Sequence, residues 1–492
     1  MEFGPTTRRA LRLGAVAAAV AALAACVAVM VTRLTYPYEA EWIEGALVDG
    51  AARILSGQPL YAEPSVDFVA AIYAPLYFYT SAAVAWLTGV GFFPLRLVSF
   101  VCTAIVFVLI YRLGRRDADD AAAGLVAVGL LAAMYRSTGA WFEIGRVDAL
   151  ALALAVGGAT LARAGRSTLS IAIGAGLLGL SIHTKQSMIF VAAGVTLYAV
   201  WQHTRRDAAI FLGALAGVAG LLTALFMVVY GDWYRYYVYE LGLFHEPYPP
   251  MRLGFWLGDL GRRIPVFTLL AAAYLLRRGE PRERKRFYLC LLAGAIGCSW
   301  STRMKVGAWF NVLIPTYMVI GLIAALELAR LWRTPASDRR SPIWAAAAGV
   351  ALVVQLVMIG YRPWNQMPSS AGRAAIDQYV RALAAIDGDV WVLSHGYIGL
   401  AAGKPSHAHW QAVADVLRSE DGPIRRAFDL KISTALREQR FKAIVIDGWE
   451  PMLDHLGLRT YYTTVDWPAG LGPWPKPITG APNRPKFLLV PR

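Results

Sequence analysis

Charged residues are scarce in this chain: they make up 16% of its 492 residues, whereas hydrophobic residues reach 57%. Soluble globular proteins contain roughly 25% charged and roughly 45–50% apolar residues. The composition therefore excludes a string of ordinary soluble domains. It predicts a polytopic helical membrane protein.

Cysteine is equally sparse. The four cysteines, Cys26, Cys102, Cys290 and Cys298, all lie inside apolar runs. This placement predicts neither a disulfide framework nor a cysteine-based metal site, and we interpret the thiols as small core residues.

Acidic residues are also outnumbered, at 33 against 48 Lys and Arg, which gives a net charge of +15. In a soluble protein this excess would suggest a nucleic-acid partner. In a membrane protein, Lys and Arg collect in cytoplasmic loops, so we expect no nucleic-acid binding.

Eleven stretches approach the roughly 20 apolar residues that a membrane-spanning helix needs. They are 11–31, 95–111, 121–136, 148–162, 169–183, 187–201, 208–230, 264–276, 287–301, 307–329 and 343–361. A further stretch, 73–90, is interrupted by Pro75 and Gly89. We expect it to lie in the membrane or re-enter it as a juxtamembrane helix.

The basic residues orient these helices. The predicted inside loops carry 17 Lys and Arg in 44 residues, and the predicted outside loops carry 10 in 115. This asymmetry predicts a cytoplasmic N-terminus and an external C-terminal tail. We interpret stretch 11–31 as an uncleaved signal anchor.

Two domains are predicted. Residues 1–361 form the transmembrane domain, in which 32–94 is the first external loop with its juxtamembrane helices. Residues 362–492 contain alternating β-type runs at 390–393 and 443–446, separated by helical patterns, and predict a small external α/β domain.

Ionisable residues near the membrane are costly, so their positions are informative. Glu41 and Glu44 stand one turn apart near the start of a predicted amphipathic helix in the first external loop. Arg146 and Asp148 flank a membrane boundary, and Lys185 occupies another external edge. A salt-bridge network between these groups is one interpretation.

A catalytic site is the other interpretation. Carboxylates would remove a proton from an incoming hydroxyl, while Lys185, Arg303 or Lys305 stabilises charge on a departing phosphate. The aromatic-rich stretch 231–256 could offer flat faces for a sugar, although an interfacial aromatic belt is the more frequent explanation of such a stretch.

Four runs resemble known sequence motifs, in order along the chain. They are 44–61, 73–77 followed by 94–99, 146–152 and 184–187. Together they resemble bacterial GT-C glycosyltransferases of the family 39, protein mannosyltransferase and lipid A aminoarabinose transferase type. The resemblance extends over roughly residues 32–320. The chain departs from the commonest pattern because its first loop has no adjacent Asp-Glu pair.

The resemblance implies that the predicted set of about 11 transmembrane helices adopts a GT-C fold in a bacterial plasma (inner) membrane. It also implies an inverting hexosyl- or pentosyltransferase of cell-envelope or cell-wall biogenesis. It implies Glu44 as general base, with Glu41 second, Asp148 as the second acidic position and Lys185 as a ligand of the donor phosphate. Arg146, Arg303 and Lys305 are further phosphate candidates. The candidate substrate-binding residues are Tyr61, Tyr73, Tyr77, Gln186 and His245.

The implied donor is a polyprenyl-phosphate sugar, and the implied acceptor is a lipid, a glycan or a protein. No particular metal site is predicted, but the carboxylates of Glu41 and Asp148 leave binding of a divalent cation open. A transporter or flippase of a lipid-linked sugar is the alternative function. A lipid-linked glycan ligase or polymerase is less well matched, because loop 231–263 carries few basic residues.

Overall fold

The computed structural model describes residues 5–165, 167–333, 341–448, 450–472 and 474–492. Within these ranges the protein is mainly helical, and its strands all lie after residue 389. Residues 334–340 of the predicted inside loop 330–342, and Arg166 of the loop 163–168, lie outside the described residues.

Fifteen of the α-helices precede residue 360. They are α1 (Pro5–Leu34), α2 (Glu44–Leu55), α3 (Leu76–Thr88), α4 (Phe92–Ala118), α5 (Ala121–Ala133), α6 (Asp148–Ala164), α7 (Thr168–Ile182), α8 (Ile189–Gln202), α9 (Arg205–Tyr230), α10 (Asp232–Arg235), α11 (Met251–Gly254), α12 (Pro265–Leu276), α13 (Arg282–Arg303), α14 (Ile314–Arg333) and α15 (Ser341–Ile359). Short 3₁₀ or π-helical segments cover Arg136–Thr138, Gln186–Met188, Tyr236–Glu240, Leu241–Phe244, Phe255–Arg262, Phe310–Leu313 and Pro363–Gln366.

Each of the eleven predicted stretches overlaps one of these helices, although 307–329 begins before α14 and 121–136 runs past the end of α5. By length and hydropathy, however, four described segments qualify as membrane spans: Arg9–Leu34, Phe92–Ala118, Arg205–Tyr230 and Phe310–Arg333. A fifth qualifies if the bent pair Ile343–Ile359 and Pro363–Ala384 counts as one. Several other helices are shorter, so the helical character is confirmed while the number of crossings stays a prediction.

The ambiguous stretch 73–90 contains α3, a helix of 13 residues. It begins directly after Pro75 and ends at Gly89, whose φ of +89° lies in the region that glycine tolerates. At 1.5 Å per residue α3 measures roughly 20 Å, less than the roughly 30 Å of a bilayer core.

Local sequence signals begin several helices. The side chain of Asp120 accepts a hydrogen bond from the Ala122 amide at the start of α5, and Ser167 caps α7 in a reciprocal pair with Ser170. Within the bundle, α6 and α7 pack closely because Gly158 faces Gly174. A Cβ on Gly158 would lie 2.6 Å from the Gly174 carbonyl oxygen.

The ends of the short helices create the space for a site. Helix α6 begins at Asp148 and α7 ends at Ile182, so residues 135–147 and 183–188 form irregular connections. The Leu76 amide donates to the His183 carbonyl at 3.0 Å, which joins the start of α3 to the second connection. Charged side chains on these connections therefore meet beside the first loop.

The C-terminal part contains a four-stranded sheet in the order β1-β2-β4-β3. The strands are β1 (Val390–Val392), β2 (Ala443–Ile446), β3 (Tyr462–Val465) and β4 (Phe487–Pro491). The helices are α16 (Ser370–Ala384), α17 (Gly396–Ala401), α18 (Trp410–Leu417), α19 (Pro423–Arg437), α20 (Pro451–His455) and α21 (Leu458–Tyr461). Strands β1 and β2 are parallel, with Trp391 opposite Ile444, and β4 pairs antiparallel with both β2 and β3.

This sheet-containing part packs on the first loop. Lys431 donates to Glu63 at 2.6 Å, and Arg440 forms an ion pair with Asp67. The Ala408 amide donates to the Val66 carbonyl at 2.9 Å, and α17 packs against α2. The division at residue 361 stays a prediction.

Candidate active site

Glu41 and Arg146 form a buried ion pair between the first loop and the connection that precedes α6. The Glu41 Oε2 atom lies 2.6 Å from Arg146 Nη1, and the two side chains are 1% and 5% exposed. Arg146 Nη2 also donates to the Tyr73 hydroxyl at 2.5 Å, and its guanidinium lies over the Tyr73 and Trp141 rings. Arg146 Nε has no hydrogen-bond partner among the described residues, so this cation keeps one donor unused.

Asp148 and Lys185 form a second buried pair next to the first. Lys185 Nζ lies 2.7 Å from Asp148 Oδ1, which also accepts from Asn311 Nδ2 at 3.1 Å. The other oxygen, Oδ2, accepts from the Trp141 indole nitrogen at 3.2 Å. Asp148 is the first residue of α6 and lies two positions after Arg146. The two ion pairs are therefore neighbours along the chain, and each contains one carboxylate and one cation.

Glu44 occupies a different environment. Arg96 contacts both of its oxygens, at 2.9 Å from Nε and 2.6 Å from Nη2. Backbone amides of Gly145, Ala40 and Glu41 complete the shell at 2.7, 2.8 and 3.3 Å. Every strong acceptor position of this carboxylate is therefore engaged in holding the first loop against α4 and the connection before α6.

The two glutamates differ in acidity as a result. Burial raises the pKa of Glu41 to about 7, although Arg146 opposes the shift. Burial acts in the same direction on Glu44, but Arg96 and the backbone amides outweigh it and lower its pKa. A general base works best when its pKa lies near the working pH. The geometry favours Glu41 over Glu44 for that role, and both assignments stay predictions.

The remaining phosphate candidates lie on other partners. Arg303 Nε pairs with Asp259 at 2.9 Å, and its Nη1 donates to the Ala308 carbonyl. Lys305 Nζ donates to the Gly242 carbonyl at 2.5 Å. Neither cation contacts the two central ion pairs among the contacts that the structure describes.

The substrate candidates are also dispersed. Tyr73 belongs to the cluster through Arg146, and the Tyr61 hydroxyl donates to the Tyr73 carbonyl at 2.6 Å. The Tyr77 hydroxyl is fully buried and donates to the Leu95 carbonyl at 2.9 Å. The Gln186 amide donates to the carbonyls of Ile72 and Val238, at 2.7 and 3.0 Å. These contacts hold loops together.

His245 lies apart, at 3.1 Å from Asp415 of the C-terminal part. The aromatic stretch 231–256 contributes a ring cluster in which Tyr234 and Tyr237 pack around Tyr61. This cluster therefore packs against the first loop at Tyr61.

Three residues of the site were not predicted as site residues from the sequence. Arg96 is fully buried and contacts Glu44, while Asn311 and Trp141 orient Asp148. The position of Arg96 could have predicted a buried ion pair, because it is the one charged residue in the apolar run from Leu95 to Val98 and charges in such runs are usually paired. Asn311 carried no comparable signal.

The interpretation as a salt-bridge network describes the observed pairing. Arg33 with Glu143 adds a fourth buried pair, at 2.8 Å, after those of Glu41, Asp148 and Glu44. No group of three or more His, Cys, Asp or Glu side chains that could hold a metal ion occurs within the described ranges.

Comparison with known proteins identifies the fold. A family profile described as dolichyl-phosphate-mannose-protein mannosyltransferase matches residues 73–230. The structure of ArnT from Cupriavidus metallidurans bound to undecaprenyl phosphate superposes with a TM-score of 0.57 at 13% identity, covering 96% of this chain and 97% of that one. The apo state of the same protein gives a TM-score of 0.57 at 12% identity, with the same coverage.

This chain has the GT-C fold. Arabinofuranosyltransferase AftD from Mycobacteria is also similar, with a TM-score of 0.50 at 17% identity over 96% of this chain and 41% of that one. No curated protein matches the sequence. The profile match over residues 73–230 and the shared fold agree with the resemblance to GT-C glycosyltransferases stated above.

Proposed function

We propose that the protein is an inverting glycosyltransferase that moves a hexose or pentose from a polyprenyl-phosphate donor to a lipid, glycan or protein acceptor. The observation that carries this proposal is the pair of adjacent ion pairs, Glu41 with Arg146 and Asp148 with Lys185, where the first loop meets the ends of short helices. In this arrangement the carboxylates can serve as a general base, and the neighbouring cations can bind an anion such as the donor phosphate.

The donor phosphate is assigned to Arg146 and Lys185. Arg146 has an unused Nε donor, and an arginine fork and a lysine point charge both suit phosphate oxygens. Because both cations are already paired with carboxylates, phosphate binding must take over part of these contacts. The exchange would release Glu41 from Arg146 when the donor is bound.

The released Glu41 is assigned as the base. It accepts the proton of the acceptor hydroxyl while the acceptor oxygen bonds to the anomeric carbon from the side opposite the phosphate. The bond from that carbon to the phosphate oxygen breaks, and its electron pair leaves on the polyprenyl phosphate. Asp148, fixed by Asn311 and Trp141, positions Lys185 for the leaving group.

The lipid nature of the donor is supported by the ArnT likeness, since that protein was solved with undecaprenyl phosphate. The basic-loop asymmetry supports an orientation with the active site and the C-terminal part on the external face, and we propose the bacterial inner membrane from the resemblance to bacterial GT-C enzymes. A divalent cation is not required by this scheme, because two basic side chains already face the leaving group.

The test is turnover in detergent by the purified full-length chain. The substrates are a panel of radiolabelled polyprenyl-phosphate sugars with a membrane extract as acceptor source. We expect transfer or slow hydrolysis of one donor, and loss of this activity in Glu41→Gln and in Lys185→Ala. Glu438→Gln and Lys486→Ala repeat the same substitutions at exposed positions outside the site and serve as matched controls.

A donor that binds without turnover, equally well in Glu41→Gln, would contradict the transferase. That result would favour the transporter or flippase of a lipid-linked sugar. Retention of the anomeric configuration in the product would exclude the single displacement.

A further inference from the structure

A cavity of about 240 Å³ lies between the first loop and the C-terminal part, separate from the two ion pairs of the candidate site. Tyr36, Tyr38 and Glu39 line it from the loop, and His395, Trp474 and Lys476 line it from the C-terminal part. Pockets for drug-sized ligands measure roughly 300–1,000 Å³. The volume therefore suits one small ring and excludes a long chain.

The polar centre of this cavity is a buried carboxylate. Glu39 is 7% exposed, and its Oε2 lies 2.5 Å from His395 Nδ1. The other ring nitrogen of His395 pairs with Asp447 at 3.2 Å, so the imidazole has both nitrogens engaged. Glu39 Oε1 has no hydrogen-bond partner among the described residues. A Cβ at Gly45 would lie 2.8 Å from this oxygen, so the oxygen lies against the start of α2. A buried acceptor left unpaired costs free energy, and a ligand hydroxyl that reached it from the cavity would recover that cost.

Aromatic side chains form the apolar walls. Trp474 packs on Tyr379 with ring centroids 4.4 Å apart and lies 6.2 Å from the His395 ring. Tyr36 meets Tyr38 edge to face at 5.9 Å. Rigid aromatic faces beside a carboxylate and an exposed lysine fit a ligand with apolar faces and a rim of hydroxyls. A neutral sugar ring has this chemistry.

The cavity adjoins the proposed base. Ile478 lines it, and the next amide, that of Thr479, donates to the Ala40 carbonyl at 2.9 Å. Gly480 then lies against Glu41, since a Cβ at this glycine would come within 2.8 Å of Glu41 Cγ. On the first loop, Glu39 of the cavity is two residues from Glu41. On the C-terminal segment, Ile478 of the cavity is two residues from Gly480, which contacts Glu41.

We propose that this cavity binds a sugar ring of the acceptor, so that a glycan or glycolipid is the acceptor class. The acceptor assignment rests on the proposed function, while sugar binding by the cavity does not. Glu39 accepts from a ring hydroxyl, and Trp474 covers one face of the ring.

The test measures sugar binding without turnover. Full-length protein in lipid nanodiscs is titrated with methyl glycosides of mannose, galactose, glucose and arabinofuranose, and binding is detected by saturation-transfer difference NMR. Ile478→Trp fills the cavity, and Lys476→Ala removes an exposed donor with little risk to folding. Lys486→Ala is the matched control, because it is an exposed lysine of the same part outside the cavity.

We expect one glycoside to bind, and its affinity to fall about tenfold or more in Ile478→Trp, with a smaller loss in Lys476→Ala and none in Lys486→Ala. Absence of binding by all four glycosides, or binding unaffected by both cavity variants, would overturn the proposal. Displacement of the glycoside by a polyprenyl-phosphate sugar, but not by polyprenyl phosphate, would identify the occupant as the donor sugar and overturn the acceptor assignment.

The same experiment separates this proposal from the proposed function. If no polyprenyl-phosphate sugar is turned over and glycoside binding still depends on Ile478 and Lys476, the transferase assignment fails and the sugar site stands. If a donor is turned over and no glycoside binds, the sugar site fails and the transferase stands.

Discussion

Glutamine substitutions at Glu41 and Glu44 separate the base from the residue that holds the first loop in place. Each substitution keeps the shape of the side chain and removes its charge. Glu44 receives two hydrogen bonds from Arg96 and three from backbone amides, whereas Glu41 receives one from Arg146. The two variants should therefore fail in different ways.

For Glu44→Gln we expect a loss of stability. Removing one partner of a buried ion pair typically costs about 3–5 kcal/mol, because the other charge is left uncompensated. Arg96 also donates to the carbonyls of Arg33, Tyr36 and Tyr38, and these contacts remain in the variant. The loss should fall at the lower end of that range, and the folded fraction should still transfer sugar.

For Glu41→Gln we expect a loss of rate. Removing a positioned general base lowers the rate about 10²–10⁴-fold. Arg146 keeps its contact with the Tyr73 hydroxyl and lies over two aromatic rings, so it is partly compensated when Glu41 loses its charge. The thermal unfolding temperature should therefore fall less than in Glu44→Gln.

The assay pairs initial transfer rates with thermal unfolding of the same detergent preparation, with Glu438→Gln as the control. The reasoning is refuted if Glu41→Gln transfers within an order of magnitude of the wild-type rate. It is equally refuted if Glu44→Gln is inactive at an unchanged unfolding temperature, since the base would then be Glu44.

Three further predictions follow from the same contacts. Because a base must be deprotonated and the pKa of Glu41 is raised to about 7, kcat/KM should rise as the pH increases through 7, and a profile flat from pH 5 to 9 would contradict the assignment. Asn311→Leu should lower kcat roughly tenfold with little change in donor KM, because Asp148 loses a hydrogen bond that orients Lys185; an unchanged kcat would remove Asn311 from the site. Although burial opposes it, Asp447 and Glu39 raise the pKa of His395 to about 10, so its contribution to stability is complete below its ordinary pKa and lost as the pH rises through 10. The thermal unfolding temperature of wild type should fall between pH 7 and 10, and His395→Gln should show a smaller fall; parallel curves would refute this.

Part of the architecture could be predicted because the relevant signals are local. Apolar runs, the cap at Ser167 and the breaks at Pro75 and Gly89 act over one or two helical turns, and each of the eleven predicted stretches overlaps a helix in the structure. Motifs at helix ends likewise pointed to Glu41, Arg146, Asp148 and Lys185 as members of one site. The length of an apolar stretch was a weaker signal for the number of membrane crossings, because several helices are shorter than a full membrane span.

Sequence alone therefore determined where the helices form and which charged residues stand at their ends, since hydropathy and capping are read along the chain. The tertiary structure decided the partners: Glu44 with Arg96, Glu41 with Arg146, and Glu39 with His395 across more than 350 positions. A buried charged side chain pairs with an opposite charge that the packing places nearby. The identity of that partner depends on which helix ends meet in the fold. For that reason the sequence named both glutamates, and only the fold shows that Glu44 is held by Arg96 and three backbone amides while Glu41 pairs with Arg146.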